Sequence, residues 1–274
     1  MIAVTGATGN VGRALVHRLL AAGAPVRALT RDPQRAALPE AADVVHAGQD
    51  DPTALFDGVT KLFLYIQSAG LLPAARAAGV RHVVLLSSAI IQEGADDPGH
   101  PIHVMHATVE QQLRDHGPRF TFLRPGAFAT NALQWAPQIR SGRTDIRGVF
   151  ADGLTAPIHE DDIAAVAERA LLDDGHEGAV HRLSGPDATT NAEQITAIGH
   201  ALGRDLRFTE VPPEQAGPEL FPHVPPHMVQ ALLKSFADTV GTPPEITDTV
   251  HKITGTPART FTQWAADHAD DFRD

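Results

Sequence analysis

The first thirteen residues, MIAVTGATGNVGR, place a hydrophobic run directly before a loop with glycines at three-residue intervals, at Gly6, Gly9 and Gly12. Apolar residues then repeat every four positions up to Gly23, which is typical of a helix and its stop. The order strand, loop, helix and second strand within about thirty residues predicts a βαβ unit. Glycine allows backbone to approach a pyrophosphate closely, and a helix N-terminus favours its charge. We therefore predict a dinucleotide site at this loop.

The end of the second predicted strand distinguishes the two nicotinamide dinucleotides. Sites for NAD place Asp or Glu about twenty residues beyond the loop to bind the ribose 2′-hydroxyl, whereas this chain has Thr30 and Arg31 there. A guanidinium can hold a 2′-phosphate with two hydrogen bonds, while a carboxylate would repel it. Asp32, directly before Pro33, is better explained as a helix N-cap. The sequence favours NADP(H), the alternative for Arg31 being a solvated surface residue.

Short apolar runs alternate with helical patterns through the first half of the chain, as expected for a parallel sheet covered by helices. Strands are predicted at 2–5, 25–30, 43–47, 61–66, 82–87, 120–124, 179–183 and 206–211, and a further short run spans 145–150. The predicted fold class is α/β, with a doubly wound, mainly parallel sheet of the Rossmann type and a smaller C-terminal lobe. We expect an NADP-binding core over 1–126 and a substrate lobe over 127–274, with elements returning to the core.

Two segments of this chain allow more specific predictions, one of a helix and one of a loop. A helix is predicted over 102–116, ended by a Gly-Pro pair. Its predicted apolar stripe comprises Ile102, Met105, Val109 and Leu113. The segment 211–226 contains six prolines, so we predict a loop or a set of short turns there.

The composition excludes several classes of protein. No run approaches the ~20 apolar residues of a membrane helix, and no secretory signal precedes the first strand. The absence of cysteine excludes disulfides, iron–sulfur clusters and thiol catalysis. A net charge of −11 argues against a broad nucleic-acid footprint. We expect a cytoplasmic protein with neither a nucleic-acid nor a membrane partner.

Seven stretches carry a resemblance to a known family: MIAVTGATGNVGR, LTRDP, AARAAGVRHVVLLSS, HATVEQQLRDHG, FTFLRPGAF, GHEGAVHRLSGP and GTPARTFTQW. Together they resemble the NmrA-like branch of atypical short-chain dehydrogenases/reductases, and within it the type 2 NADPH:quinone oxidoreductases. The resemblance covers nearly the whole chain. It implies a Rossmann fold and an NADP(H) cofactor.

The resemblance also implies roles for individual residues. On the pyrophosphate loop it places Gly6, Thr8, Gly9, Asn10 and Val11. It assigns Arg31 to the 2′-phosphate. Beneath the adenosine half and around the nicotinamide it places Tyr65, Ile66, Gln67, Ser87, Ser88, Pro125, Gly126 and Phe128. The connection between Gln67 and Ala75 is about ten residues shorter than the relatives would suggest, so the oligomeric state is left open as monomer or homodimer.

One departure from the wider family concerns its Tyr-x-x-x-Lys motif, in which the tyrosine is the acid. This chain has Ile102 and His106 at those positions, and its one tyrosine is Tyr65. His106 borders the predicted stripe, so its imidazole could reach the cofactor ribose or a substrate oxygen. An unperturbed pKa near 6.5 would suit proton transfer. His106 is the candidate catalytic residue, and a half-buried structural histidine is the alternative.

The C-terminal half offers a candidate substrate wall. Phe128, Trp135 and Phe221 fall in a proline-rich lobe, and each taken singly is explained by core packing. Together they predict an apolar pocket for a flat aromatic or quinone-like substrate. The histidines at 100, 103 and 106, near Asp96 and Asp97, lack a metal-ligand pattern, so no metal is expected.

Three functions can be compared with these features. The first is an NADPH-dependent oxidoreductase that transfers hydride to a quinone or related conjugated carbonyl. It tolerates the missing tyrosine because a quinone accepts hydride readily and its oxygen can take a proton from water or a histidine. The second is a non-catalytic NADP(H) sensor that changes a partner's activity. The third, a sugar-nucleotide epimerase, needs an acid/base pair that Ile102 and His106 do not supply.

Overall fold

A computed structural model describes residues 1–48, 51–92, 100–221 and 224–273. The chain folds into two compact units. The first unit comprises Met1–Gly126, Glu160–Leu183 and Thr249–Pro257. The second comprises Ala127–His159, Ser184–Asp248 and Ala258–Asp274.

The regular elements alternate along the chain as the sequence pattern predicts. The strands are β1 Ile2–Thr5, β2 Val26–Thr30, β3 Asp43–His46, β4 Lys61–Tyr65, β5 His82–Leu86, β6 Arg119–Pro125, β7 Asp145–Gly148, β8 Leu154–Thr155, β9 Val180–Leu183, β10 Thr189–Thr190 and β11 Arg207–Glu210. The α-helices are α1 Asn10–Ala21, α2 Leu72–Ala77, α3 Pro101–His116, α4 Ala136–Arg140, α5 Glu160–Leu172, α6 Asn191–Leu202, α7 Pro213–Leu220, α8 Pro226–Ala237, α9 Thr249–Thr254 and α10 Phe261–Asp267. Short 3-10 turns occupy Pro33–Arg35, Pro52–Phe56, Ile66–Leu71, Ala129–Trp135 and Ala269–Phe272.

The first unit is built on a seven-stranded sheet in the order β3-β2-β1-β4-β5-β6-β9. Every neighbouring pair is parallel. Ile2 of β1 aligns with Val26 on one side and with Lys61 on the other. The strand order reverses between β1 and β4, and such a switch point opens a crevice at the carboxyl ends of the strands. The predicted doubly wound α/β fold is confirmed.

The core of the first unit explains why its strands read as continuous apolar runs. All residues of β1 and β5 are buried, as expected for strands covered on both faces. Helices α1 and α5 pack against each other, and α3 contacts β6. This packing fixes the carboxyl edge of the sheet, where the candidate cofactor residues lie.

The second unit has its own small core. Strand β7 pairs in parallel with β11, and β8 pairs antiparallel with β10. Trp135, Ile195 and Trp264 belong to one buried cluster. Helices α6 and α10 each begin with a capping box, in which Thr190 and Glu193 or Thr260 and Gln263 satisfy each other's backbone N–H groups.

The predicted helix over 102–116 is confirmed as α3, but only half of its predicted apolar stripe is buried: Val109 and Leu113 are buried, and Ile102 and Met105 are not. Ile102 and Met105 are 49% and 40% exposed. The buried face comprises His103, His106, Val109, Glu110 and Leu113. This face is partly polar because Glu110 has a buried cationic partner, described below. A search for apolar residues at helical spacing does not find a buried face that contains polar side chains.

The predicted loop over 211–226 is also wrong in its first half, because α7 spans Pro213–Leu220. Proline is tolerated in the first turn of a helix, where its missing N–H would have no partner. Asp96 and Asp97, weighed above as metal ligands, lie outside the described residues. No helix within the described ranges is long and apolar enough to cross a membrane.

Candidate active site

The glycine loop after β1 is tightly closed. Gly6 has a φ of +60°, a conformation that favours glycine. The backbone N–H of Gly9 donates to the Gly6 carbonyl at 2.9 Å and closes the turn. A Cβ added at Gly12 would lie 2.1 Å from the same carbonyl oxygen. The start of α1 therefore presses against the loop, and Gly6 and Gly12 each have a steric reason to be there.

The N-terminus of α1 is open to an anion. Gly9 supplies no side-chain cap, and the first turn contains no acidic residue. Thr8, Gly9 and Asn10 are exposed, whereas Val11 is buried beneath them. Unsatisfied N–H groups together with the helix dipole favour a phosphate at such a terminus. The loop could hold a pyrophosphate.

The end of β4 lies against this loop. The Thr5 hydroxyl donates to the Phe63 carbonyl at 3.1 Å and accepts from the Tyr65 N–H at 2.7 Å. The Tyr65 side chain is so close to Gly6 that a Cβ added there would lie 3.1 Å from Tyr65 Cβ and 3.3 Å from the ring. Ile66 is buried and Gln67 is exposed on the turn that follows. The structure thus brings Tyr65 to the predicted phosphate loop.

Arg31 follows β2 directly and is exposed. Within the described ranges its side chain forms neither a hydrogen bond nor an ion pair. The predicted N-cap role of Asp32 is confirmed, because its Oδ1 accepts from the Arg35 N–H at 3.3 Å. Arg13, in contrast, donates to the Ala36 and Ala37 carbonyls at 3.1 and 2.7 Å. At the carboxyl end of β2, Arg31 is therefore available to bind an anion, and the Asp32 carboxylate is occupied as a helix cap.

A buried polar network joins the end of β5 to α3. The Ser87 hydroxyl donates to Glu110 Oε1 at 2.6 Å, and His106 Nδ1 lies 3.4 Å from Ser87 Oγ. Arg124 of β6 binds both oxygens of Glu110, at 2.9 and 2.6 Å. All four side chains are buried. A bidentate pair of this kind is both strong and geometrically specific, so it holds α3 in a fixed position over β5 and β6.

The network determines what His106 can do. Because the Ser87 proton is directed at Glu110, Ser87 Oγ accepts from His106 Nδ1–H, which leaves Nε2 as a hydrogen-bond acceptor. Burial lowers the pKa of His106 below its usual value, and the nearby Glu110 carboxylate opposes this only in part. The expectation of an unperturbed pKa is wrong. His106 is a neutral ring at pH 7 and is poorly suited to donate a proton.

The remaining predicted cofactor residues lie at the carboxyl ends of β5 and β6. Gly126 N–H donates to the Leu183 carbonyl at 2.9 Å, and Pro125 accepts from the Ala89 N–H at the same distance. Ser88 is half-buried, and its hydroxyl accepts from the Ile90 N–H at 3.3 Å. These bonds fix the backbone around the predicted nicotinamide end.

Sequence reasoning missed Glu110 and Arg124. One signal could have found them. Arg124 interrupts the otherwise apolar run of β6, and a charged residue in a strand covered on both faces needs a buried partner of opposite charge. Glu110 lies one helical turn beyond His106 on the same face of α3.

The predicted substrate residues all belong to the second unit. Trp135 and Phe221 line one cavity of about 600 Å³. Phe128 is half-buried, forms a backbone bridge with Ile158, and is not among the described residues that line this cavity. The structure therefore brings two of the three residues together.

Comparison with known proteins shows which family this chain belongs to. Residues 1–253 match the NmrA-like family. The chain belongs to the NmrA-like family. The resemblance deduced from the sequence motifs is confirmed.

Two of the relatives that this NmrA-like protein matches over nearly their whole length are named as reductases. It is 40% identical to (4-alkanoyl-5-oxo-2,5-dihydrofuran-3-yl)methyl phosphate reductase of Streptomyces griseus, over 99% of each chain. It is 35% identical to NAD(P)H azoreductase of Xenophilus azovorans, again over 99% of each. The crystal structure of the Escherichia coli NADPH-dependent quinone oxidoreductase complexed with NADPH is similar, with a TM-score of 0.78 and 26% identity over 97% of this chain and 99% of that one.

Proposed function

We propose that this NmrA-like protein is an NADPH-dependent oxidoreductase that transfers hydride to a quinone or a related conjugated carbonyl. The proposal rests on the residues at the carboxyl ends of β1 and β2 in the first unit. An open α1 N-terminus lies behind a closed glycine loop, and an exposed Arg31 follows β2 while Asp32 is engaged as a cap. This combination suits a pyrophosphate and a 2′-phosphate. The relatives named as NAD(P)H-dependent reductases support the reaction class.

The chemistry of the relatives' substrates supports a conjugated acceptor. The name of the Streptomyces griseus reductase describes a ring whose carbon–carbon double bond is conjugated with a ring carbonyl and an alkanoyl carbonyl. That substrate also carries a phosphate monoester. A quinone has the same electron-poor double bond beside a carbonyl. Hydride can add to such a bond because the negative charge moves onto oxygen, which water then protonates.

Bound NADPH would supply the hydride, and the protein's residues would supply position. The glycine loop and Arg31 would hold the two phosphate ends of the cofactor. His106 remains the proposed residue for contact with the ribose or the substrate oxygen. As a neutral ring with Nε2 as acceptor, it would receive a hydrogen bond from a hydroxyl group. Ser87, Glu110 and Arg124 would keep that ring in place, acting as positioning residues.

A non-catalytic NADP(H) sensor is the second candidate. The observation that favours it is the residue at the tyrosine position, Ile102, which has no proton to donate. A reductase acting on quinones needs no such donor, because its acceptor is already activated. The distinction therefore depends on turnover rather than on cofactor binding.

The test is NADPH oxidation followed at 340 nm with a panel of benzoquinones, naphthoquinones and conjugated lactones, beside calorimetric measurement of NADPH affinity. We expect NADPH consumption that depends on the acceptor and on enzyme concentration. Tight NADPH binding with no consumption by any acceptor would reject the reductase and favour the sensor. Failure to bind NADPH would reject both.

A further inference from the structure

The cavity of the second unit contains a buried hydrogen-bond donor that the protein does not use. Trp135 lines the cavity and is only 5% exposed. Within the described ranges its indole N–H forms no hydrogen bond, although a buried tryptophan N–H usually has a partner. Its nitrogen is not fully enclosed. A buried donor without a partner is unfavourable, so this N–H is suited to an acceptor that is not part of the chain.

The surroundings of the Trp135 nitrogen show what such an acceptor would belong to. A Cβ added at Gly148, another lining residue, would lie 3.5 Å from Trp135 Nε1 and 2.6 Å from Phe208 Cζ. Trp135 and Phe208 meet edge to face, with ring centroids 6.3 Å apart and planes at 88°. The donor therefore lies in an aromatic corner where position 148 contributes no side chain. Such a corner suits a flat ring that carries an acceptor at its edge.

The amide donors at the cavity wall are occupied by the protein backbone. The Gln138 side chain donates to the Arg147 carbonyl and accepts from the Arg147 N–H, both at 2.9 Å. The Asn191 amide donates to two backbone carbonyls, at 3.0 and 3.3 Å. Gln134 also lines the cavity, but at an exposed position. Trp135 thus supplies the buried donor that a ligand can use.

The charged residues of the lining do not favour an ion. Arg143 forms an ion pair with Asp145 at 2.6 Å, and Arg147 also has a partner. No aspartate or glutamate belongs to the lining in the described part of the chain. An ion that entered this largely aromatic cavity would lose its hydration without gaining an unpaired countercharge. The cavity is therefore suited to an uncharged ligand.

We propose that Trp135 Nε1–H determines the specificity of this cavity by donating to the carbonyl oxygen of a flat, uncharged ring. Phe208 and Phe221 supply apolar contacts to that ring. A hydrocarbon of similar shape would leave the N–H without a partner, and a site built around a hydrogen bond discriminates against such a ligand. Binding itself needs no reaction, but the identification of this ligand with the hydride acceptor rests on the proposed function.

The indole N–H signals of the protein test the proposal directly. The chain contains two tryptophans, Trp135 and Trp264, so a proton–nitrogen correlation spectrum of the nitrogen-15-labelled full chain shows two such signals. Nuclear Overhauser contacts with the Phe208 ring identify the Trp135 signal. The probes are 1-indanone, a flat ketone, and indane, a hydrocarbon of similar shape, both added without NADPH.

We expect 1-indanone to move the Trp135 signal downfield beyond any shift that indane causes, and to leave the Trp264 signal in place. Calorimetry should give about fivefold tighter binding for the ketone, the size of one hydrogen bond between uncharged groups. A Trp135 signal that the ketone does not move, or equal affinities for the two probes, would overturn the proposal.

A pair of variants separates the donor from the apolar contacts. Trp135→Phe removes the N–H and keeps a ring, so it should make the two affinities equal. Phe221→Leu is the matched control, because it removes a lining ring and leaves the donor intact. It should weaken both probes and keep the preference for the ketone. A preference that Trp135→Phe retains would contradict the proposal, and if this variant lacks a native circular dichroism spectrum, the wild-type titration decides alone.

Quinone turnover distinguishes failure of this site from failure of the proposed reductase. No NADPH oxidation with any quinone, together with the expected shift by 1-indanone, would reject the reductase and leave the carbonyl site. Equal kcat/KM of wild type and Trp135→Phe for 1,4-naphthoquinone, with no shift by 1-indanone, would reject the site and leave the reductase.

Discussion

At the scale of single residues, cofactor choice is concentrated in one side chain. Arg31 is the exposed cation at the end of β2, and the carboxylate of Asp32 is turned into a cap. An Asp or Glu in this position would bind a 2′-hydroxyl and repel a 2′-phosphate. The sequence alone allowed this argument, because strand, loop and helix fix which residue follows the strand.

We expect Arg31→Ala to weaken NADPH binding by about tenfold or more and to leave NADH binding unchanged. A hydrogen bond to a charged group contributes ~1.5–3 kcal/mol, and each ~1.4 kcal/mol is a factor of ten. Calorimetric titration with both cofactors measures the effect. Arg81→Ala is the control, since Arg81 is also exposed but precedes β5, at the opposite edge of the sheet. Equal losses for the two cofactors would show that Arg31 does not recognise the 2′-phosphate.

For His106, the chemical role predicted from the sequence differs from the one that the structure supports. Its place on α3 was predictable from the family motif, but its protonation was not, because the pKa depends on burial and on Glu110. A neutral ring orients hydroxyl groups and does not supply protons. The prediction for its mutation changes accordingly.

We expect His106→Ala to lower kcat/KM for a quinone by about tenfold, the size of one hydrogen bond of ~1.5 kcal/mol. Any limb of the wild-type pH–rate profile that is due to His106 should lie on the acid side of the usual histidine range, because burial lowers the pKa of this ring. His116→Ala, at the exposed end of α3, is the control. A hundredfold fall in kcat with a descending limb near neutral pH would instead identify His106 as a proton donor.

At the scale of elements, the sequence predicted boundaries better than faces. The predicted strand over 43–47 ends within one residue of β3, and the predicted helix over 102–116 begins within one residue of α3. The ends of helices and strands depend on local sequence, namely the spacing of apolar residues and the positions of Gly and Pro. The buried face of α3 depends instead on Arg124, which lies on another strand. No local pattern contains that information.

Helix α7 shows the opposite failure, in which a local signal was overweighted. Six prolines over 211–226 suggested turns throughout. Pro213 lies in the first turn of α7, where a missing N–H needs no partner. Pro218 lies inside the helix, so proline content alone did not decide whether this segment is helical.

At the scale of the whole molecule, the doubly wound sheet was predictable and the second unit was not. Alternation of apolar strands with helices leaves few topologies for a parallel sheet. The second unit pairs β7 with β11 across some sixty residues of sequence, and its cavity draws aromatic rings from four separate stretches of the chain. Such long-range pairing follows from tertiary packing rather than from pattern.

The first unit also carries a group of histidines away from the cofactor edge. His82 Nε2 donates to the Thr121 hydroxyl at 2.9 Å, and this hydroxyl donates to the His176 carbonyl at 2.6 Å. His176 Nδ1 lies 3.1 Å from His181 Nε2. Burial, reinforced by Lys61, lowers the pKa of His82 to about 4. Burial and the neighbouring His176 lower the pKa of His181 to about 4 as well.

We expect these two rings to make the folded protein sensitive to mild acid. A folded pKa below the unfolded value of about 6.5 means that the unfolded chain binds more protons. Their contribution to stability is therefore complete above about pH 6.5 and is lost as the pH falls towards 4. Each ring can contribute at most ~1.4 kcal/mol per pH unit. Allowing for partial solvent screening, we expect the free energy of unfolding to fall by about 2 kcal/mol between pH 7 and pH 5.

Urea titration at the two pH values measures this loss in wild type and in the double variant His82→Asn/His181→Asn. Far-ultraviolet circular dichroism is the appropriate probe, because both tryptophans lie in the second unit and both histidines in the first. The variant should lose stability at pH 7 but show a smaller decrease on acidification, since carboxylates then titrate alone. His17→Asn, at an exposed position of α1, should behave as wild type. An acid sensitivity that the double variant retains in full would assign the effect to carboxylates instead, because their protonation lowers stability in the same direction.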